Sequence, residues 1–212
     1  MPTITAVTPS ARRSERYEIF VDGVLFVTVG ATIIGDRKLW VHSELDEETM
    51  TVLQKEELVL TTIDRAMNML NFRSRATKEL AQKLKQKGEA PEQIAEALAR
   101  LTKAGFLDDA NYARQFTRSK ISSSGFGSRR VSFELSMRGV ARDVASAAIA
   151  EVKEHDQVVE GEVLEKVAVK KLRSLARYEP DVQKRRLYGF LARRGFSGED
   201  ISKAMKKLFR SK

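Results

Sequence analysis

The sequence FELSMRG (Phe133–Gly139) ends an apolar helical pattern at a glycine, and this ending occurs twice more in the 212-residue chain. The other two copies are LAQKLKQKG (Leu80–Gly88) and YGFLARRG (Tyr188–Gly195). Glycine is favoured directly after a helix because it adopts the left-handed conformation without a Cβ clash. A further helical pattern follows each glycine, and spacings of 51 and 56 residues indicate three tandem three-helix repeats.

One three-helix unit buries little apolar surface, so neighbouring units have to stack. We therefore predict a mainly α fold whose three repeats form an elongated, curved array. The predicted boundaries place a linker helix with the first repeat at 46–106, the second repeat at 107–155 and the third at 156–212. The glycines could also be ordinary helix ends in one compact bundle, but the matched apolar positions after each of them favour the array.

Residues 1–45 have the pattern of strands and predict a small N-terminal β-hairpin region. YEIFVDGVLFVTV (Tyr17–Val29) is rich in β-branched and aromatic residues, and Asp22-Gly23 at its centre is typical of a type I′ turn. Thr3–Thr8 predicts another strand, while the short segment Lys38–Val41 fits a strand or a loop. Because a few strands alone bury little apolar surface, we expect them to pack on the helices that follow.

Three polar residues precede apolar helical patterns and are predicted helix caps: Asp46, Ser74 and Asp108. Asp108 and Asp109 are also the most plausible carboxylate pair for acid–base catalysis. Their position at a helix start, just after Gly105, favours capping instead.

The sequence lacks the motifs of several enzyme classes. It has no cysteine, no GxxxxGK[ST], HExxH or GxSxG motif, and its two histidines, His42 and His155, lie far apart. We therefore expect no catalytic site, metal or cofactor. No stretch approaches the roughly 20 apolar residues of a membrane span, and Met1–Ser10 lacks the apolar run of a signal peptide. A cytoplasmic protein without membrane contact is expected, with a monomer as the default.

The net charge of +9 is unevenly distributed. Residues 1–57 carry 6 basic and 10 acidic side chains, so the excess of positive charge lies in the remainder of the chain. A basic body suggests a polyanionic partner. A charged surface that serves solubility alone explains the numbers equally well.

Arginines recur near the junctions of the repeats, and their planar donor groups match phosphate or carboxylate. Basic charge at helix C-termini explains the lysines and about half of the arginines. Arg129 and Arg130 rank first as binding residues because they sit at a helix start, where cations are unfavourable. Phe126 is the aromatic residue least explained by core packing, since it lies between two glycines. The candidate binding residues are Arg73, Arg75, Arg118, Lys120, Phe126, Arg129, Arg130, Arg138, Arg185, Arg186, Arg193 and Arg194.

Four segments of the chain resemble the RecX family of bacterial regulators of RecA. AGFLDDANYARQFTRSK (Ala104–Lys120) and GSRRVSFELSMRGV (Gly127–Val140) are similar to the family signature, and Arg73–Gly88 and Arg185–Leu208 are similar to its first and third repeats. The resemblance covers residues 60–210 and includes several motifs in the family's order. One helix departs from it, with Ser132, Phe133 and Ser136 where the family often has charged or amide residues.

The resemblance implies repeats that lodge in the helical groove of the RecA–single-stranded DNA filament. There the protein would restrain filament growth, ATP hydrolysis, strand exchange and the co-protease activity of RecA. The alternative is a general binding protein for single- or double-stranded DNA that acts without RecA.

Overall fold

The structure is a computed structural model that describes residues 1–11, 13, 15–156 and 159–210. Within these ranges the chain forms three strands and ten α-helices. The strands are β1 (Ile4–Pro9), β2 (Arg16–Val21) and β3 (Val24–Gly30). The helices are α1 (Ala31–Asp36), α2 (Glu47–Phe72), α3 (Thr77–Gln86), α4 (Pro91–Lys103), α5 (Asp109–Arg118), α6 (Ser128–Met137), α7 (Arg142–His155), α8 (Glu160–Ser174), α9 (Pro180–Arg193) and α10 (Gly198–Arg210). The predicted mainly helical fold with a small N-terminal β region is confirmed.

The described residues divide into two compact units. The first unit contains residues 1–74 and 80–107, and the second contains residues 75–79 and 108–212. The boundary falls inside α3, whose first turn belongs to the second unit.

The sheet of the first unit has the antiparallel order β1-β2-β3. Val21 pairs with Val24 across the two-residue turn, and both turn residues have positive φ, 49° at Asp22 and 83° at Gly23. The predicted Asp-Gly hairpin is therefore confirmed. The sheet packs on α2 as expected, since Leu53 of α2 belongs to the core of the β region.

The segment after β3 differs from the prediction in one respect, since the short helix α1 was not predicted. Lys38–Val41 lies in turns and irregular backbone, which agrees with the loop and not with the strand. Only Ile34 of α1 is buried, and the adjacent Ile33 is partly buried against the same core, so two neighbouring apolar residues in a six-residue helix leave no recognisable helical periodicity.

Each repeat packs its first helix against its third. The pairs are α2 with α4, α5 with α7 and α8 with α10. An ion pair joins the two helices in every repeat: Glu56 with Arg100 at 2.7 Å, Arg114 with Glu151 at 3.5 Å, and Glu165 with Lys207 at 2.8 Å. The three helical triplets thus share one internal arrangement.

Local helix caps agree with the prediction at two of three positions. Asp46 accepts the backbone N–H of Thr49 at 2.7 Å, and Asp108 accepts that of Asn111 at 2.9 Å. The cap predicted at Ser74 is wrong, because α3 begins at Thr77 and its N–H binds the Asp109 carboxylate at 2.8 Å. Both aspartates of the 108–109 pair therefore act as caps.

The cap of Thr77 by Asp109 is repeated one triplet later. Glu160 accepts the N–H of Ser128 at 2.9 Å and its hydroxyl at 2.7 Å. In both cases the first residue of a middle helix is capped by the first residue of the next repeat, 32 positions onward. An acidic side chain there also faces the positive end of the helix dipole.

The glycines that end the middle helices have a second role at the contacts between repeats in the second unit. A Cβ at Gly139 would overlap the side chain of Lys78 in the first turn of α3, and a Cβ at Gly195 would overlap the backbone of Arg130 in α6. Gly127 is equally restricted, since its Cβ would lie 2.5 Å from the carbonyl oxygen of Gly195. By contrast, a Cβ at Gly88 would meet nothing within 4 Å.

We expect Gly195→Ala to destabilise the protein much more than Gly88→Ala. Both glycines have a positive φ, 87° and 90°, which costs an alanine about 1 kcal/mol. Only Gly195 adds an overlap with backbone, which raises the expected loss in the free energy of unfolding to about 3 kcal/mol or more. Denaturant titration of the two variants checks this difference, and equal losses would contradict the close approach.

We expect Glu160→Gln to remove a pH-dependent contribution to stability. Burial alone would raise the pKa of Glu160, but hydrogen bonds from Lys153 and Ser128 outweigh it and lower the pKa below 4.5. A depressed carboxyl pKa stabilises the fold above the unfolded value, and this contribution is lost as pH falls through the folded value. The variant should lose about 1 kcal/mol at pH 7, and the difference from wild type should shrink near pH 3.

The matched control is Glu162→Gln on the exposed side of the same helical turn. Unfolding curves from pH 7 to pH 3 should leave this control close to wild type throughout. A pH-independent loss in Glu160→Gln would exclude the charged cap.

Candidate functional site

Four of the basic residues identified in the sequence surround two aromatic rings in the second unit. They are Lys120, Arg130, Arg138 and Arg194, and we call them the cation cluster. Arg130 lies 4.3 Å and Arg194 5.4 Å from the centre of the Phe126 ring. The rings therefore hold the cations by cation–π attraction.

The second ring of the cluster is Phe116. Arg138 lies 4.5 Å from its centre and Lys120 lies 5.2 Å from it. Lys120 also lies 5.5 Å from the Phe126 ring and so bridges the two aromatics. Both rings are partly buried against the core of the second repeat, and their outer faces are occupied by cations.

One carboxylate, that of Glu134 in α6, forms ion pairs with three of the four cations. It lies 3.1 Å from Arg130, 3.7 Å from Arg138 and 3.8 Å from Lys120. Arg194 has no carboxylate partner among the described residues. Three positive charges of the cluster are therefore left uncompensated in one small region.

Arg194 fixes the loop that precedes α6. Its Nη1 donates to the carbonyl oxygens of Ser124 and Gly125, and its own carbonyl accepts the N–H of Gly127 at 2.8 Å. Desolvation and the nearby charge of Arg130 lower the pKa of this guanidinium. The SSSGFG segment (Ser122–Gly127) is consequently held at its middle and at its last residue. Its first two residues belong to a π-helical turn, Ser119–Ser123, that continues α5.

A groove of about 930 Å³ lies between this loop, α8 and α9. The serines of the loop form one wall, and Lys166 and Lys170 of α8 form the other. Arg194 and Phe190 close the side next to the cation cluster. The groove therefore combines hydroxyl groups with ammonium and guanidinium groups, which are the donors that bind phosphate oxygens. Two carboxylates, Asp156 and Glu162, also belong to its lining.

The lysines of the groove were missed in the sequence. KVAVKK (Lys166–Lys171) places basic residues four and five positions apart on one side of α8, and this spacing could have identified them. Taken alone, this pattern is typical of a solvated helix face, because no neighbouring residue in the sequence indicates that a loop lies opposite the lysines.

An ion pair marks the far end of the groove. Arg118 donates to both carboxylate oxygens of Asp156, at 2.6 and 2.9 Å. The hydrogen bond from Arg118, followed by that from His155, lowers the pKa of Asp156 to about 2. Asp156 therefore stays ionised and neutralised by Arg118, so it subtracts little from the positive charge of the groove.

The remaining predicted residues do not join the cation cluster. Arg75 is largely buried and pairs with Glu79 at 2.6 Å, while Arg73 lies exposed at the end of α2 in the first unit. Three others lie on α9 around a shallow pocket of about 440 Å³ that also includes Phe190: Arg185, Arg186 and Arg193.

The structure separates the two arginines ranked first. Arg130 is held by Glu134, by the Phe126 ring and by the carbonyl oxygen of Arg193 at 3.0 Å. Arg129 is exposed and has no hydrogen-bond or ion-pair partner in the described part of the chain. Arg130 is therefore a structural element of the cluster, and Arg129 is available to a partner.

Two other kinds of site are absent from the described residues. No group of three or more histidine, aspartate or glutamate side chains is arranged to hold a metal ion. None of the described helices is long and apolar enough to span a bilayer.

The helical triplets match three known domain families in order. They are the first, second and third three-helix domains of RecX, which match residues 63–101, 108–149 and 160–205. The matches cover more than half of the chain and coincide with the triplets α2–α4, α5–α7 and α8–α10.

Two relatives agree with these matches. The chain is 30% identical to the regulatory protein RecX of Bacillus subtilis over 98% of its own length and 78% of the relative's. It is 28% identical to the regulatory protein RecX of Clostridium botulinum (strain Eklund 17B / Type B), over 98% and 96% of the two chains.

Two solved structures share the fold. A crystal structure of regulatory protein RecX superposes over 100% of both chains with a TM-score of 0.82 at 20% identity. That of RecX from Lactobacillus salivarius covers 71% of this chain and 96% of its own with a TM-score of 0.61 at 21% identity. With three matching domains in order and a relative that is 30% identical along nearly the whole chain, the protein is a member of the RecX family of regulatory proteins.

Proposed function

We propose that this protein is a non-enzymatic, cytoplasmic regulator of RecA that binds the RecA–single-stranded DNA filament as a monomer. By occupying the filament it restrains ATP hydrolysis, strand exchange and co-protease activity, and so limits recombination and the SOS response. Membership of a family of regulatory proteins supports the regulatory role, and the observation that carries the filament contact is the groove beside the cation cluster.

The groove fits the backbone of a single strand better than its bases. Lys166 and Lys170 present exposed ammonium groups, and the serine hydroxyls opposite add neutral donors. The Phe126 ring is already covered by Lys120, Arg130 and Arg194, so it offers no free face for base stacking. Contacts of this kind give binding without sequence preference, as a regulator of a filament on any DNA sequence requires.

A general DNA-binding function is the second candidate, and the same groove favours it. A protein of that kind binds bare DNA tightly and is indifferent to RecA. The two functions differ in whether binding depends on RecA and in the effect on its ATPase.

We expect purified protein to suppress the single-stranded-DNA-dependent ATP hydrolysis of RecA at substoichiometric amounts. Each bound molecule spans neighbouring RecA subunits in the proposed complex, so one molecule affects several. The measurement is the rate of ATP hydrolysis as the ratio of this protein to RecA increases. An unchanged rate at every ratio, together with tight binding to bare DNA, would leave only the second candidate.

We expect Lys166→Glu combined with Lys170→Glu to weaken binding to RecA filaments roughly tenfold at low salt, because two phosphate contacts become repulsive. The salt dependence of binding should also become shallower by about 1.4 in log–log slope, since each contact on a single strand accounts for about 0.7. Fluorescence anisotropy with labelled oligonucleotide, with and without RecA, measures both quantities.

The matched control is Lys83→Glu combined with Lys87→Glu. These lysines are also exposed on a helix end and the substitution changes the net charge by the same amount, but they lie outside the groove. Equal losses in the two variants would mean that net charge, and not the groove, determines affinity.

A further inference from the structure

The outer face of α6 carries an exposed apolar stripe that the cation cluster does not use. Phe133 is 63% exposed and Met137 is 71% exposed. They follow Arg129 at intervals of four residues, so the three side chains line up along the helix. We call Arg129, Phe133 and Met137 the α6 stripe.

The stripe faces away from the core of its own unit. Val131 and Leu135 of α6 are completely buried, and at about 100° per residue Phe133 lies on the opposite side of the helix from them. An amphipathic helix of this kind normally has charged or polar residues at that position. An aromatic ring and a thioether there are not explained by packing within the second unit.

The charges around the stripe indicate what kind of surface would cover it. Arg130 and Arg138 on the same helix are paired with Glu134, and Lys153 of the neighbouring α7 is paired with Glu160. Arg129 has no such partner among the described residues. The stripe therefore offers one unpaired cation at one end and two apolar side chains behind it.

A groove beside the stripe extends the surface. It runs between α6 and α7, has a volume of about 840 Å³, and is lined by Arg129 and Ser132 on one side and by Ile149 and Ala150 on the other. Ile149, Ala150 and three serines form most of the rest of the lining, and Lys153 and Glu154 add one charge of each sign.

This combination differs from the groove beside the cation cluster. A phosphodiester backbone requires several cations in a row, and the α6 stripe has one. Exposed apolar side chains next to a single arginine are typical of protein interfaces, where aromatic residues, methionine and arginine are enriched.

We propose that the α6 stripe is a protein-docking surface, separate from the nucleic-acid groove, that binds an apolar patch bordered by a carboxylate. This inference rests on the proposed function, and it assigns the stripe to the protein component of the RecA filament and the groove beside the cation cluster to the DNA. The carboxylate of the partner pairs with Arg129, and its apolar patch covers Phe133 and Met137.

The test is Phe133→Gln combined with Met137→Gln, since glutamine keeps the helix propensity and removes the apolar contact. Co-sedimentation with RecA filaments and anisotropy on bare single-stranded DNA are measured in parallel. We expect filament affinity to fall about tenfold or more and affinity for bare DNA to stay within about twofold. Arg129→Gln should weaken filament binding in the same selective way.

The control is Phe72→Gln, because Phe72 is 85% exposed but lies at the end of α2 in the first unit. It should bind filaments as wild type does. Circular dichroism and thermal unfolding of all variants show that the exposed substitutions leave the fold intact.

Four results would overturn the proposal. If wild type suppresses the RecA ATPase and the double variant binds filaments equally well, the stripe is not the docking surface while the proposed function stands. If the double variant loses affinity for bare DNA in parallel, the stripe is a nucleic-acid surface. If sedimentation velocity shows a wild-type dimer that the double variant abolishes, the stripe binds a second copy. If wild type itself has no effect on RecA, the proposed function fails and this inference fails with it.

Discussion

The close approach of α9 to α6 is the constraint on which the second unit depends. Gly195 and Gly127 bring two backbones together where no Cβ fits, and the hydrogen bond from Gly127 N–H to the Arg194 carbonyl joins them directly. The carbonyl end of α9 thus meets the amide end of α6, so opposite ends of two helix dipoles face each other. The guanidinium of Arg130 binds the Arg193 carbonyl in the same contact, which ties the cation cluster to the stacking of the repeats.

This arrangement explains why the basic residues fall into two groups, those held by contacts within the unit and those exposed in the groove. Arg130, Arg138 and Lys120 share Glu134 and hold the repeat together, while their uncompensated charge raises the positive potential around the neighbouring groove. Lys166 and Lys170 are exposed and form no hydrogen bond or ion pair among the described residues, so they are available to bind an anion. One positive surface can therefore contain both cations that are fixed by internal contacts and exposed lysines that are free to move.

The parts of the fold that were predictable from sequence are those with local causes. The Asp22-Gly23 turn, the caps at Asp46 and Asp108 and the repeat glycines each depend on residues within a few positions. The cap of Thr77 by Asp109 spans 32 residues, so proximity in sequence pointed wrongly to Ser74. The candidate site was predictable in part for the same reason. The sequence indicated the cluster cations, but neither the separation of Arg129 from Arg130 nor the groove lysines, because both depend on which helices become neighbours.

The long-range caps form in an order that is set by the synthesis of the chain. A ribosome releases Thr77 and Ser128 32 residues before the carboxylates that cap them, so a newly made middle helix has an unsatisfied first turn until the next repeat emerges. The middle helix of the third repeat begins instead at Pro180, which lacks one of the backbone N–H groups that would need an acceptor. The first two repeats are therefore each completed during synthesis by the repeat behind them, whereas proline at the start of α9 reduces that requirement in the third.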